Sequence, residues 1–390
     1  MLINNFKIYQ NGIWTVESAD IVWNGRQDRV FYAVPSEFQD AICRTNADAF
    51  IVGFIQLAAK YNEDIIVEGR PVSKKLAENI ENLLIPAFNQ MGCGTKPIHI
   101  KAEYHDDSFA ERHGATGISL GVDSLYSILS NEAQKVKYVL NIIADLKNED
   151  FDELSSNISF YDIKNTQKNM VAGEFGRSYI PVLTNMDAIL CIEYNFGQTH
   201  SFIHLAVVMA LMNWIDKYYY ATGYTDKDFK LDFNYTSHYD VLISQVVDYD
   251  AFKMFTSGGE VTRVQKTEYL SNDITAQHYL DVCLKNKDGA INGFTNCSVC
   301  GKCRRTMVTL DLLGKLECFD QVFDVKYYRT HKPWYIGEIL YAAFVMKDLL
   351  AIEIWNEMKK RKYSIPICAW WFMLKRGVLN QTNKVKRLVK

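Results

Sequence analysis

The sequence predicts an α/β protein: a Rossmann-like parallel sheet wrapped by helices, with an N-terminal α+β part and a small zinc module. Three observations carry that prediction. From about residue 110, strand-like and helix-like segments alternate, the pattern of a parallel sheet covered by crossover helices. Upstream, residues 1 to about 105 show short β-like runs and two helical patterns without that alternation. Downstream, Cys297-Ser298-Val299-Cys300-Gly301-Lys302-Cys303 places three thiols at x2 and x2 spacing, which suits a metal. The domain boundaries follow: 1–108 for the N-terminal part, 109–282 for the domain of alternating strands and helices, 283–330 for the cysteine module and its following helix, and 331–390 for a C-terminal helical segment.

The elements are justified in chain order. Phe6–Tyr9, Val30–Val34, Asp64–Val67 and Ile98–Ala102 read as strands. Asn46–Tyr61 and Ser73–Met91 read as helices, the second from its stripe of Leu76, Ile80, Leu83 and Leu84. Ala115–Ser119 is a strand, Asp123–Leu129 opens a helix, and Lys137–Ala144 is a buried strand. A polar helical region around Asp150–Asn169 precedes a strand at Tyr179–Leu183. Ser201–Tyr218 is an apolar helix, Val241–Ile243 a strand, and Glu260–Asn272 a mixed segment. Trp334–Lys359 and Ile365–Arg376 close the chain as helices.

Composition bounds the function. The chain has 390 residues, 48% hydrophobic and 23% charged, an ordinary globular balance. A formal net charge of −3 gives no support to a nucleic-acid partner, although the tail from Lys375 to Lys390 is locally basic. The start, Met1-Leu2-Ile3-Asn4-Asn5, lacks the charged and apolar regions of a secretory signal. The most apolar long run, Ser201 to Ile215, contains His204 and Asn213 and is too short to span a bilayer. No membrane partner is expected. Nine cysteines without a signal point to the reducing cytoplasm, where clustered thiols bind metal more readily than they pair.

Gly114 to Ser124 has the physical make-up of a phosphate loop. A buried strand ends, the chain turns, and a helix begins. The first turn of a helix presents unpaired N–H groups and positive dipole potential, which together bind anions. Ser119 and Ser124 supply hydroxyls, Gly121 allows a ligand to approach the backbone, and Asp123 can cap the helix or hold Mg²⁺. There is no Gly-Lys-Ser/Thr and no G-x-G-x-x-G. An ordinary strand–turn–helix capped by Asp123 is the plain alternative.

Zinc takes four ligands in a tetrahedron. Cys297, Cys300 and Cys303 give three; Cys283 is the leading candidate for the fourth, with Cys318 in reserve. A ferredoxin-type iron–sulfur site fails because Met307 stands where the next cysteine is needed. Four thiolates leave no open position, so the zinc is expected to be structural. Arg304 and Arg305 follow; either could face a phosphate or a carboxylate, with neutralising the thiolates or sitting in solvent as the plainer roles.

Ser119-Leu120-Gly121-Val122-Asp123-Ser124 resembles the Ser-Gly-Gly-x-Asp-Ser signature of the PP-loop ATP pyrophosphatases, of the adenine nucleotide alpha-hydrolase-like superfamily. Leu120 departs from it, standing where that family has Gly. Such a side chain would either crowd the phosphates or point harmlessly into the sheet. Together with Cys283, Cys297, Cys300 and Cys303, the loop resembles the branch that includes 7-cyano-7-deazaguanine synthase of the queuosine pathway, whose cysteines hold a structural zinc. The resemblance covers roughly residues 110–310. It implies a HUP-type sheet and a loop, Ser119, Leu120, Gly121, Val122, Asp123 and Ser124, that grips ATP with Mg²⁺. Asp123 and Ser119 are then the candidate catalytic residues. Arg263 and Lys266, which precede the zinc segment, are candidate nucleotide contacts through phosphate, with a solvated face as the plain alternative.

The implied chemistry is adenylylation. A carbonyl or carboxylate oxygen of the substrate attacks the α-phosphorus, pyrophosphate leaves, and a nitrogen or sulfur nucleophile displaces AMP to form an amide, a nitrile or a related bond. Two alternatives stand beside small-molecule ligation: modification of a tRNA or a protein, and a non-catalytic nucleotide-binding module. The sequence leaves a homo-oligomer open. Asn185, His200 and the polar knot Ser237-His238-Tyr239-Asp240 are further positions of interest, with capping or packing as the plainer roles.

Overall fold

The computed structural model describes residues 1–105, 112–130, 135–147, 158–283 and 293–388. It is an α/β protein whose contacts divide into two units. The first comprises Met1–Ile118 and Ser127–Gly259; the second comprises Ser119–Tyr126 and Glu260–Lys390. The expected boundary near residue 108 is therefore not where the units part, because the N-terminal strands belong to the same sheet as the alternating region.

That sheet has ten strands: β1 (Leu2–Asn11), β2 (Trp14–Trp23), β3 (Arg26–Pro35), β4 (Ile65–Val67), β6 (Ile100–Lys101), β8 (His113–Gly117), β9 (Val136–Ile143), β10 (Ser178–Thr184), β11 (Ile215–Ala221) and β12 (Lys253–Ser257). Its order is β12-β11-β8-β9-β10-β3-β2-β1-β4-β6. A separate pair, β5 (Val72–Ser73) and β7 (Tyr104–His105), runs parallel. The run β12-β11-β8-β9-β10 is parallel throughout. Counted in chain order from β8, it reads 3-2-1-4-5 with the reversal at β8, a switch point of the kind where doubly wound sheets bind ligands. The antiparallel meander β1–β2–β3 joins through β3 and β10, with Ala33 opposite Leu183 and Tyr32 opposite Thr184.

The core of this unit sits on helices Asp48–Tyr61 and Phe196–Met209, both buried along most of their length. Gly53 makes their approach possible. A Cβ there would stand 2.5 Å from the Met186 Cε and 3.2 Å from the Ala206 Cβ. The first helix stops at Asn62, a left-handed residue of the kind that ends helices.

Several expected elements are corrected. β2 was not expected as a strand, because its polar residues are buried and it shows no alternation. The expected helix Ser201–Tyr218 is Phe196–Met209, and the Tyr-rich end of that run is β11, where aromatic side chains suit a pleated surface. Val241–Ile243 is helical, within Asp240–Val246. The expected polar helix is Ile158–Glu174, its earlier residues lying outside the described ones.

Among its described residues the second unit is built mainly of helices, beside the loop and the cysteine knuckle. Its helices include Arg263–Leu270, Ile274–Tyr279, Gly301–Leu312, Val325–Tyr341, Leu349–Lys360 and Ile367–Leu388. Asp324 and Asp348 cap two of them by accepting from Tyr327 N and Ala351 N. Ile367–Leu388 packs along Val325–Tyr341. Among the described residues, no helix is long and apolar enough to cross a membrane.

Candidate functional site

The loop Ser119–Ser124 follows β8 directly and opens the helix Val122–Leu129. It is held by its own hydroxyls. Ser119 Oγ lies 3.0 Å from Ser124 Oγ, Ser119 N donates to Ser124 Oγ at 3.2 Å, and Ser124 Oγ donates to Gly121 O at 3.2 Å. The first helical bond runs from Leu125 N to Gly121 O, so Val122, Asp123 and Ser124 carry the N–H groups that have no partner within a helix.

Leu120 is the informative departure. Its φ is +59°, in the left-handed region, and its side chain is buried at 1% exposure. The backbone takes a shape that costs a non-glycine residue about 1–2 kcal/mol. The side chain does not project into solvent. The Leu120 carbonyl accepts from Asp281 N at 2.8 Å, two residues before Cys283.

Asp123 is where distant sequence converges. Arg263 Nη2 donates to Asp123 Oδ2, and Lys266 Nζ lies 3.4 Å from Oδ1. Both cations come from the first two turns of Arg263–Leu270, a helix started by a capping box of Thr262 and Gln265. Burial, with Arg305 nearby, draws the Arg263 guanidinium down to about 10, so it stays charged at neutral pH. Its backbone N–H donates to Glu353 Oε2 at 3.0 Å. The Lys266 ammonium also sits 5.9 Å from the centroid of the Tyr126 ring.

The four expected metal ligands come together. Cys283, Cys297, Cys300 and Cys303 form a cluster whose sulfurs all lie within 4.8 Å of one another. The Cys297 and Cys303 sulfurs are 3.8 Å apart, matching the roughly 3.8 Å that Zn–S bonds of about 2.3 Å set in a tetrahedron. Cys300 N donates to Cys297 Sγ at 3.3 Å, and Cys303 N to Cys300 Sγ at 3.5 Å, the amide–sulfur pattern of a ligand knuckle. The left-handed Ser298 (φ +59°) turns that knuckle. Cys318, the reserve, is exposed and lies outside the cluster. The donor set can hold a zinc ion.

Asn296 clamps the two halves of the cluster and was not singled out from sequence. Its Nδ2 donates to Leu280 O at 2.7 Å and Val322 O at 3.1 Å, while its Oδ1 accepts from Val282 N at 2.9 Å. Only its position immediately before Cys297 marked it. Arg304 and Arg305 face carboxylates, one of the roles open to them: Arg304 pairs with Glu338 at 3.5 Å and Arg305 with Asp348 at 3.7 Å.

Other expected positions resolve differently. Asn185 is structural, its Oδ1 accepting from Phe31 N and its Nδ2 donating to Arg29 O, which ties the end of β10 to β3. His200 and the Ser237–Asp240 knot do meet, within the first unit. His200 Nε2 lies 2.9 Å from Ser237 Oγ, and Ser201 Oγ donates to Asp240 Oδ1 at 2.8 Å. Burial pushes the Asp240 carboxyl up to about 7 against the hydrogen bonds from Ser201 and Thr222, and holds the neighbouring His204 down at about 3.

Comparison with known proteins finds no matching family model, no matching curated protein and no matching solved structure.

Proposed function

We propose that this chain is a cytoplasmic PP-loop ATP pyrophosphatase of HUP type that activates a substrate carbonyl or carboxylate by adenylylation. One observation carries the reading: Arg263 and Lys266 converge on Asp123, at the mouth of a serine-bearing loop that opens a helix. A loop with orphan N–H groups, two hydroxyls and two cations within reach supplies what a pyrophosphate needs. The 3-2-1-4-5 strand order, with the loop leaving the strand at the reversal, supports the same assignment.

In this reading Ser119 and Ser124 and the backbone of Leu120, Gly121 and Val122 hold the phosphates of ATP. Mg²⁺, if bound, would be held with the help of Asp123 and would neutralise charge on the phosphates, while Arg263 and Lys266, beside Asp123, would relieve charge on the departing pyrophosphate. The protein's contribution is positioning and charge relief, after which a nitrogen or sulfur nucleophile displaces AMP from the activated carbon. The four cysteines hold a structural zinc, since four thiolates leave no open coordination position.

The test is ATP turnover in the double variant Ser119→Ala/Asp123→Ala. Formation of AMP and pyrophosphate should be abolished while one zinc per chain is retained. Unchanged pyrophosphate release would remove the site assignment.

A further inference from the structure

Within the first unit a row of side chains runs from the surface into the core. Ser237 Oγ meets His200 Nε2 at 2.9 Å; the imidazole meets Thr236 Oγ1 at 3.1 Å from Nδ1; Ser201 Oγ meets Thr236 Oγ1 at 2.8 Å; and Ser201 Oγ meets Asp240 Oδ1 at 2.8 Å. The phenolic oxygen of Tyr220, on β11, lies 3.0 Å from Ser201 Oγ. His200 is buried, yet two rings beside it reach solvent. Phe196, 53% exposed, stacks on the imidazole at 5.4 Å, and Tyr235, 39% exposed, tilts over it at 5.3 Å.

His200 Nδ1 lies 3.1 Å from the Phe196 carbonyl, which can only accept, and Thr236 Oγ1 lies 3.1 Å from Nδ1 and 3.3 Å from Nε2. The tautomer with the hydrogen on Nδ1, toward that carbonyl, turns the lone pair of Nε2 toward the Ser237 hydroxyl. A hydroxyl whose proton points at an oriented imidazole nitrogen is the arrangement by which a weak nucleophile or a proton carrier is activated.

We infer that Ser237 and His200 form a proton-transfer pair that serves an incoming amine or hydroxyl nucleophile. As the nucleophile X–H attacks an electrophilic carbon, its lone pair forms the new bond and its proton passes to Ser237 Oγ. The proton of Ser237 moves in the same step to His200 Nε2. The electron pair of the broken bond leaves with the displaced group. The imidazolium, held by the Phe196 carbonyl, returns its proton to water. The pair stands on its own geometry, within the first unit.

The experiment needs no ATP. Phenylmethylsulfonyl fluoride is applied to the full chain, and the adduct is located by peptide mass spectrometry. Sulfonylation of Ser237 is expected, at least tenfold slower in His200→Asn, where the amide can keep the bond to Phe196 O but offers no base. If that variant does not fold, diethyl pyrocarbonate on the wild-type protein replaces it, and acylation of His200 should block labelling of Ser237 to the same degree. No adduct at Ser237, or an adduct formed at an undiminished rate once His200 is replaced or acylated, overturns the pair. Failure of pyrophosphate release with labelling intact would instead count against the ATP reading alone.

Discussion

Lys266 Nζ lies 3.4 Å from Asp123 Oδ1, and the lysine side chain is almost wholly buried. A buried ammonium that loses a carboxylate partner retains its desolvation cost, so Asp123→Ala should destabilise the second unit by about 2–3 kcal/mol. Combining it with Lys266→Met should recover part of that loss. Urea denaturation of the two single variants and the double variant checks this, and strict additivity would contradict the pairing.

Leu120 gives a prediction of unusual sign. Alanine normally outranks glycine in stability by about 0.5–1 kcal/mol. At φ +59° the order should invert, with Leu120→Gly more stable than Leu120→Ala by about 1 kcal/mol. Both should be less stable than the parent, because a buried leucine is lost in each. Denaturant midpoints of the two variants decide it.

The capacity of the four-cysteine cluster for zinc should fail through Asn296 as well as through its own sulfurs. Asn296→Ala takes the side-chain partner from two backbone groups just before Cys283, Leu280 O and Val282 N, each worth about 1–3 kcal/mol when buried and unsatisfied, while Val322 O keeps the Asn296 backbone N–H. Faster zinc loss to a chelator is expected, measured with a metallochromic dye. Cys303→Ser should abolish stoichiometric zinc altogether, read by elemental analysis.

Asp240 and His204 predict opposite pH effects. The native Asp240 carboxyl, raised to about 7, keeps a proton that the unfolded chain releases near its ordinary 3.8. Its contribution to stability therefore falls as pH rises between about 4 and 7. Asp240→Asn should gain on the wild type across that window, by thermal melts at pH 5 and pH 8. His204, held down at about 3, stays neutral while the unfolded chain takes up a proton below about 6.5. Its neutral burial therefore costs stability as pH falls through that range, and His204→Gln should blunt the acid sensitivity.

The parts legible in the sequence were those in which spacing alone encodes geometry. The knuckle Cys297-x2-Cys-x2-Cys303 and the loop Ser119–Ser124 are contiguous, so their residues had to meet. Cys283 was reachable because it was the nearest thiol upstream. Arg263 and Lys266 were named as phosphate contacts, but Asp123 lies 140 residues from Arg263, and no local pattern announces that contact. β2 stayed hidden because its polar side chains are buried by pairing: Glu17 with Arg70, and Ser18 and Asp20 with Arg29. Burial with a partner erases the alternation by which strands are read.

The discontinuity of the second unit has a practical corollary. Residues Ser119–Tyr126 are inserted, in chain order, within the first unit, yet their contacts are with residues after Gly259. A fragment ending at Gly259 would keep the loop's sequence but lose Arg263, Lys266 and Asp281 together. A fragment beginning at Glu260 would keep the four cysteines but have no loop to hold. Recombination or fusion within the chain should therefore preserve both segments if Asp123 is to keep Arg263 and Lys266.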